Sequence, residues 1–376
     1  MNPLKMTLRK FIAKIHLYLG LITGLLFFII ALSGAIYTWQ PEFSRIAFHQ
    51  EIKPEEQPFI SISDIKNTLE KDFPEGDFRT ALYRDKESAI EVLIYVPGTY
   101  FHAYINPYSG ELIHLQDMNK GWISKLKNLH RNLLLGPPGR EIVHWVTLMA
   151  MFMLITGLVI WWPARGKPSK GKFSIKWTAS PKKLNYDLHN ILGFYATWIL
   201  IFTIGTGIFW GFEVVRESLK EISGENKITW DKPISTVLEN ESNRNKYEIL
   251  NKLIKEYHNT YTGAEVGINI PHQEDEAIQL SVIRPKAGIN AVDFYYHDQY
   301  TGEPLQGNFQ NGLAENRSSF SKINGLVYDI HFGSVWGLPG RILACLASLI
   351  GASLPITGFL VWWNKRKTKK KKLGKA

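Results

Sequence analysis

Four stretches of the chain are apolar at almost every position: Leu17–Tyr37, Ile142–Trp162, Leu188–Phe212 and Ile342–Trp363. None contains Asp, Glu, Lys or Arg, and each reaches the ~20 residues that a spanning helix needs. Between the first and second stretches, and again between the third and fourth, the pattern changes to polar inserts. In the first insert, Phe78–Tyr83, Ala89–Val96, Phe101–Ile105 and Glu111–Leu115 are short apolar runs that predict strands. Ser63 is placed to cap a helix beginning at Asp64. In the second insert, Ile249, Leu250, Leu253 and Ile254 recur at helical spacing within Lys246–Tyr257, and Ile278–Ile283 and Ala291–Tyr296 predict strands. Lys125–Leu135 is amphipathic. The first spanning helix is expected to run out to Trp39 and stop at Pro41. The second is expected to start near Arg140, after a break at Pro137-Pro138-Gly139.

The pattern occurs twice. His130, Gly136, Pro138, Gly139, Arg140, Thr156, Gly157, Trp161 and Trp162 recur at a single offset of 201 as His331, Gly337, Pro339, Gly340, Arg341, Thr357, Gly358, Trp362 and Trp363. His16, Gly20, Ser33 and Gly34 match His189, Gly193, Thr206 and Gly207 at an offset of 173. Tyr104, Tyr108, Gly110 and Glu111 match Tyr296, Tyr300, Gly302 and Glu303 at an offset of 192. So many gapless matches imply an internal duplication. Each half has a histidine opening one apolar run, a polar insert, a second histidine and a second apolar run.

Charge adds an orientation. Met1–Lys14, Pro163–Lys183 and Asn364–Ala376 hold 19 of the 44 Lys and Arg and no Asp or Glu. The remainder has 25 basic residues against 34 acidic ones. Basic short segments stay on the cytoplasmic side, so both termini are expected inside and both inserts outside, with the basic ends against anionic lipid. The net charge of +10 is juxtamembrane and does not point to nucleic acid. The single cysteine, Cys345, lies in the fourth apolar run. Disulfides and Cys-based metal sites are thereby excluded. The long first apolar run, with its internal counterpart, reads as a membrane helix and not as a signal peptide.

The expected organisation follows in order: an N-terminus and first helix (1–40), a first outer domain (41–127), an amphipathic segment and second helix (128–162) and a basic loop (163–185). A third helix (186–212), a second outer domain (213–322), an outer segment and fourth helix (323–363) and a basic tail (364–376) complete it. The turns Asn106-Pro-Tyr-Ser-Gly-Glu111 and Asp298-Gln-Tyr-Thr-Gly-Glu303 look like the hairpin signature of the PepSY domain. The doubled order of helix, insert and helix, with His16, His130, His189, His331 and the Trp-Trp ends, resembles the PepSY-associated transmembrane proteins over nearly the whole chain. That resemblance implies a multi-pass protein of the bacterial inner membrane with four transmembrane helices and two periplasmic α+β PepSY-like domains. It also implies a role in iron acquisition and, as in some members, a ferric-siderophore reductase with two b-type haems. The flavin- and nicotinamide-binding domain that some relatives carry is not in this sequence, so the expected electron donor is a cytoplasmic partner or a quinol.

Histidines at membrane depth need a function and a partner, and neutral imidazole is a good axial ligand to haem iron. By depth, His16 and His189 form an inner tier, and His130 and His331 an outer one. Two such tiers make two bis-histidine haems. The plainer alternative is hydrogen bonding at the lipid head groups. His144, one turn into the second helix, has Cys345 as its counterpart. It is open to three readings: an outer ligand in place of His130, a proton shuttle, or a polar contact. Arg140 and Arg341 are candidates for pairing haem propionates or for snorkelling. Gly20, Gly24, Gly34, Gly157, Gly193, Gly205, Gly207 and Gly358 admit a flat macrocycle or a neighbouring helix. The Trp pairs are expected as belt anchors, and His49, His102, His114, His258, His272 and His297 as surface residues. The competing function is a non-enzymatic, membrane-anchored PepSY module that binds or inhibits peptidases. Symmetric intramembrane histidines have no use in a mere anchor. No Ser/His/Asp arrangement, His-Glu-x-x-His or phosphate-binding glycine loop is present.

Overall fold

The computed structural model describes residues 3–48, 52–163, 170–236, 246–284 and 292–373. It divides into two compact units, one of Met1–Pro41, Lys125–Ser218 and Val327–Ala376, the other of Glu42–Ser124 and Leu219–Leu326.

The first unit is helical. Four helices are long and apolar enough to cross a membrane: α1 (Pro3–Tyr37), α5 (Gly136–Trp161), the run of α6 (Pro181–Asp187) and α7 (Gly193–Gly211), and α11 (Gly337–Leu373). They close a ring in which α1 and α7 each pack on both α5 and α11. Backbone polar groups cannot be left bare in lipid, and hydroxyls on these helices also bond inward. Thr23, Thr147 and Thr197 donate to the carbonyls of Leu19, Val143 and Gly193, one turn back. Ala150, Leu154, Ala196, Leu200, Ile204 and Ala347 make an apolar layer at mid-bundle, with Phe27 packed on it.

Helix boundaries depart from the sequence reading at prolines. α1 ends at Tyr37, and Pro41 opens the short α2 (Gln40–Phe48) instead of stopping α1. Pro137 and Pro138 sit in the first turn of α5, which starts at Gly136 and not near Arg140. Proline is tolerated there because first-turn amides have no intrahelical acceptor. The amphipathic stretch forms α4 (Trp122–Asn132). Leu133 and Leu134, between α4 and α5, both take positive φ, at 53° and 61°, a conformation costly for a residue with a branched side chain.

The second unit is α+β. The first insert supplies α3 (Ile62–Asp72), β1 (Asp77–Tyr83), β2 (Ile90–Val96), β3 (Thr99–Ile105) and β4 (Leu112–Asp117). The second supplies α9 (Lys246–Thr260), β5 (Glu265–Asn269), β6 (Ile278–Ile283) and β7 (Val292–His297), while α8 (Glu213–Ser223) and α10 (Ser319–Phe332) are each divided between the two units. All seven strands join one antiparallel sheet in the order β4-β3-β2-β1-β5-β6-β7. The inserts, expected as two domains, are therefore united edge to edge through β1 and β5, with Ala81 opposite Ile268. They share one core, in which Ile62, Ile65, Leu250 and Leu253 of α3 and α9 cover Val92, Ala103, Val266 and Leu280 of the sheet. Pairing hides the two edges that separate sheets would expose. Ser61, not Ser63, caps α3, in a capping box with Asp64. Ser63 instead accepts from Asn251 Nδ2 at 2.9 Å, and the Asn251 carbonyl accepts the Ile62 amide at 2.8 Å.

Candidate functional site

The four histidines singled out by the repeat lie in the helical unit as two pairs. His16 (α1) and His189 line one cavity of about 520 Å³ between the spanning helices. The imidazoles of His130 (end of α4) and His331 (end of α10) face each other with centroids 6.0 Å apart. His16 and Ile30, the α1 residue that bonds His130, are 14 positions apart, which at 1.5 Å per residue is about 21 Å of helix.

Each ring is held through Nδ1. His16 Nδ1 is hydrogen-bonded to Thr156 Oγ1 at 2.9 Å, and His189 Nδ1 to Thr357 Oγ1 at 3.0 Å. Each hydroxyl also reaches its own helix, at Phe152 O (2.8 Å) and Ser353 O (3.0 Å), and when its one proton goes there its oxygen accepts Nδ1–H from the ring. His130 Nδ1–H donates to Ile30 O at 2.8 Å. His331 Nδ1–H is shared between Thr203 O at 3.0 Å and Thr206 Oγ1 at 2.9 Å. A carbonyl only accepts, so these rings carry their proton on Nδ1 as well. His130 and His331 are thereby left with a lone pair on Nε2, as are His16 and His189 when the threonines accept, and among the described residues no hydrogen bond engages Nε2 of any of the four. Burial pushes His130 below the ordinary histidine range. It does the same to His331, with the neighbouring His130 assisting, down to about 3.

The contacts keep the offsets of the repeat: Thr357 stands to Thr156, and Thr203 to Ile30, as the sequence pairs them. A glycine lies against each ring. A Cβ built at Gly34 would be 2.7 Å from His130 Cε1, at Gly358 3.0 Å from His189 Cε1, at Gly157 3.4 Å from His16 Cε1 and at Gly207 4.0 Å from His331 Cε1. One asymmetry breaks the pattern. His189 sits in a single π turn, Leu188–Leu192, between α6 and α7, whereas His16 is in regular helix. Such turns are frequent at functional positions. Beside it, Asp187 is buried and paired with Lys183, and Asn185 Nδ2 donates to Thr357 O at 3.0 Å.

Paired neutral imidazoles are a donor set suited to an iron macrocycle, and the 6.0 Å between the His130 and His331 centroids leaves room for one metal ion between them. The first cavity is apolar along Gly20, Gly24, Phe27 and Leu354, with Tyr186, Asn190 and Lys365 also in its wall, the lining expected of a cofactor pocket. No cluster of three or more His, Cys, Asp or Glu suited to a bare metal ion occurs among the described residues.

The other candidates fall elsewhere. His144 packs on Gly211 and Phe212 of α7, 3.7 Å from Glu141, and does not join the His130–His331 pair. Arg140 is exposed. Arg341 donates to Thr38 O at 2.6 Å and lies 5.2 Å over Trp39. Trp161, expected as a belt anchor, is buried and stacks on Phe194 with centroids 4.0 Å apart. His297, expected at the surface, is buried. Its Nδ1–H donates to Gly302 O at 2.9 Å, and its Nε2 accepts from Tyr257 Oη at 2.8 Å. His49 lies outside the described residues. The threonine acceptors were unassigned in the sequence, although Thr156-Gly157 and Thr357-Gly358 stood in the repeat. The carbonyl acceptors of Ile30 and Thr203 leave no trace in residue type.

Residues 13–365 match the family described as the PepSY-associated TM region. The chain belongs to that family. No curated protein matches it. Membership in this PepSY-associated family agrees with four membrane-crossing helices and a separate antiparallel sheet unit.

Proposed function

We propose that the chain is a di-haem b electron-transfer protein of the bacterial inner membrane that reduces ferric iron, as a ferric siderophore, on the periplasmic side. The observation that carries this reading is one arrangement made twice. Two imidazole pairs lie at two levels along the helices, and every ring is hydrogen-bonded through Nδ1, which leaves Nε2 without a protein partner among the described residues. Haem held by two neutral imidazoles supplies reversible one-electron chemistry. His16 and His189 would hold one group and His130 and His331 the other, with Gly157, Gly358, Gly34 and Gly207 leaving clearance beside the rings. A hydrocarbon core is about 30 Å thick, so a single tier leaves most of it uncrossed, and two tiers about 21 Å apart span the greater part.

The basic terminal segments and middle loop support a cytoplasmic side for the His16/His189 tier. Electrons then enter there from a cytoplasmic or quinol donor. The inserts that form the sheet, which the charge pattern assigns to the periplasm, would hold the ferric ligand complex. Hard oxygen ligands suit Fe³⁺ and hold the softer Fe²⁺ less well, so reduction releases the metal. The test is reoxidation: protein reduced with dithionite and freed of excess reductant should be reoxidised by a ferric siderophore, and a ferrous chelator should collect the product. His331→Ala should stop this step even where the inner tier keeps its absorbance. Reoxidation at the parental rate in that variant would contradict the assigned exit.

A further inference from the structure

We propose that Thr156 and Thr357 are positioning residues, which hold His16 and His189 in the metal-binding tautomer. The proposal rests on the haem reading above. Each of the four rings is seated on a hydroxyl residue followed by glycine: Ser33-Gly34, Thr156-Gly157, Thr206-Gly207 and Thr357-Gly358. The glycine lies beside the ring at Cε1, and the hydroxyl sits one position earlier on the same helix. The seats are not equivalent. At His130 and His331 a backbone carbonyl takes Nδ1–H, from Ile30 at 2.8 Å and Thr203 at 3.0 Å. Ser33 Oγ donates to Ile29 O and Ile30 O instead. At His16 and His189 the threonine hydroxyl is the acceptor, at 2.9 and 3.0 Å. The Met153 and Leu354 carbonyls are second acceptors near those two rings, beside the direct contacts that the hydroxyls make. With the hydroxyl proton on Phe152 O and Ser353 O, its oxygen is left for the ring, and an Nδ1–H ring satisfies it. Without that oxygen the imidazole is free to carry its proton on Nε2, where it blocks a metal bond. Second partners of this kind set tautomer, orientation and basicity of a metal-binding histidine.

The experiment compares full-length Thr156→Val, Thr357→Val, Thr206→Val and the two inner Thr→Ser variants in haem-retention assays and optical redox titrations. The inner valine variants should retain the inner haem roughly 10- to 100-fold less tightly and shift its midpoint, and serine should restore both. Thr206→Val should act several-fold more weakly, since the Thr203 carbonyl still holds His331. Inner valine variants with parental retention and midpoint would overturn the proposal, as would an equal effect of Thr206→Val. A parent protein without haem would contradict the haem reading itself. Nitrogen chemical shifts of labelled histidine in haem-free protein decide the seating separately. They should show Nδ1–H at His16 and His189 in the parent and loss of that form in the valine variants, and an unchanged tautomer in those variants would overturn it.

Discussion

At the scale of single residues, the two tiers make graded demands on the space beside each ring. A methyl group at Gly34 would stand 2.7 Å from His130 Cε1, whereas one at Gly157 would stand 3.4 Å from His16 Cε1. Gly34→Ala must displace the imidazole, while Gly157→Ala makes ordinary contact. Haem content should therefore fall markedly in the first variant and little in the second, and the reverse order would contradict the packing described. His144 gives a second comparison. It lies against Gly211 and Phe212 and away from the His130–His331 pair. His144→Ala should keep haem near the parental level, and His331→Ala should lower it. The four paired histidines were legible because ionisable groups near apolar runs, repeated at fixed offsets, have few other uses. Their partners were less so: two acceptors are backbone carbonyls, which any residue supplies. The choice between His130 and His144 needed the turn at Leu133 and Leu134, whose positive φ no residue preference predicts.

At the scale of elements, spans and strands were legible where apolar periodicity was long, and their joins were not. β5 is five residues with Gly267 at its centre, too short and too weak in strand preference to show. Yet its pairing with β1 merges the inserts, and strand pairing over such separation depends on surfaces that exist only after each insert has folded. The α3 cap was within reach, because Ser61 with Asp64 meets the capping-box spacing and Ser63 with Lys66 does not. Asn251 is the tie between α3 and α9. Asn251→Ala removes the acceptor of the Ile62 amide and the donor to Ser63. It should destabilise the sheet unit by about 1–3 kcal/mol, measured as a lowered denaturant midpoint. The unit should also be sensitive to acid. Burial holds His102 and His258 below the ordinary histidine range, so below pH ~6.5 the unfolded chain binds more protons than the folded one. Stability is then full above that pH and declines as pH falls below it. Thermal melting at pH 7.5 and 5.5 checks the sign, and His258→Gln should flatten the decline.

At the scale of the whole molecule, the fold is four membrane-crossing helices in one unit and a seven-stranded sheet in the other, within the PepSY-associated family. The proposed orientation rests on the 19 basic residues of the short segments. Reporters fused after Asn119 and after Ser223 should both signal the periplasm, and a cytoplasmic signal from either would remove the proposed direction of electron flow. Two histidine pairs holding two haems should be visible in the optical spectrum of the purified full chain, expressed with ample haem. The reduced protein should show sharp bands of six-coordinate b-type haem at about two per chain, as the two bis-histidine tiers require. His16→Ala or His189→Ala should remove one haem and leave the other intact. A haem-free parent protein, or loss of both haems together on removing His16 alone, would contradict the account.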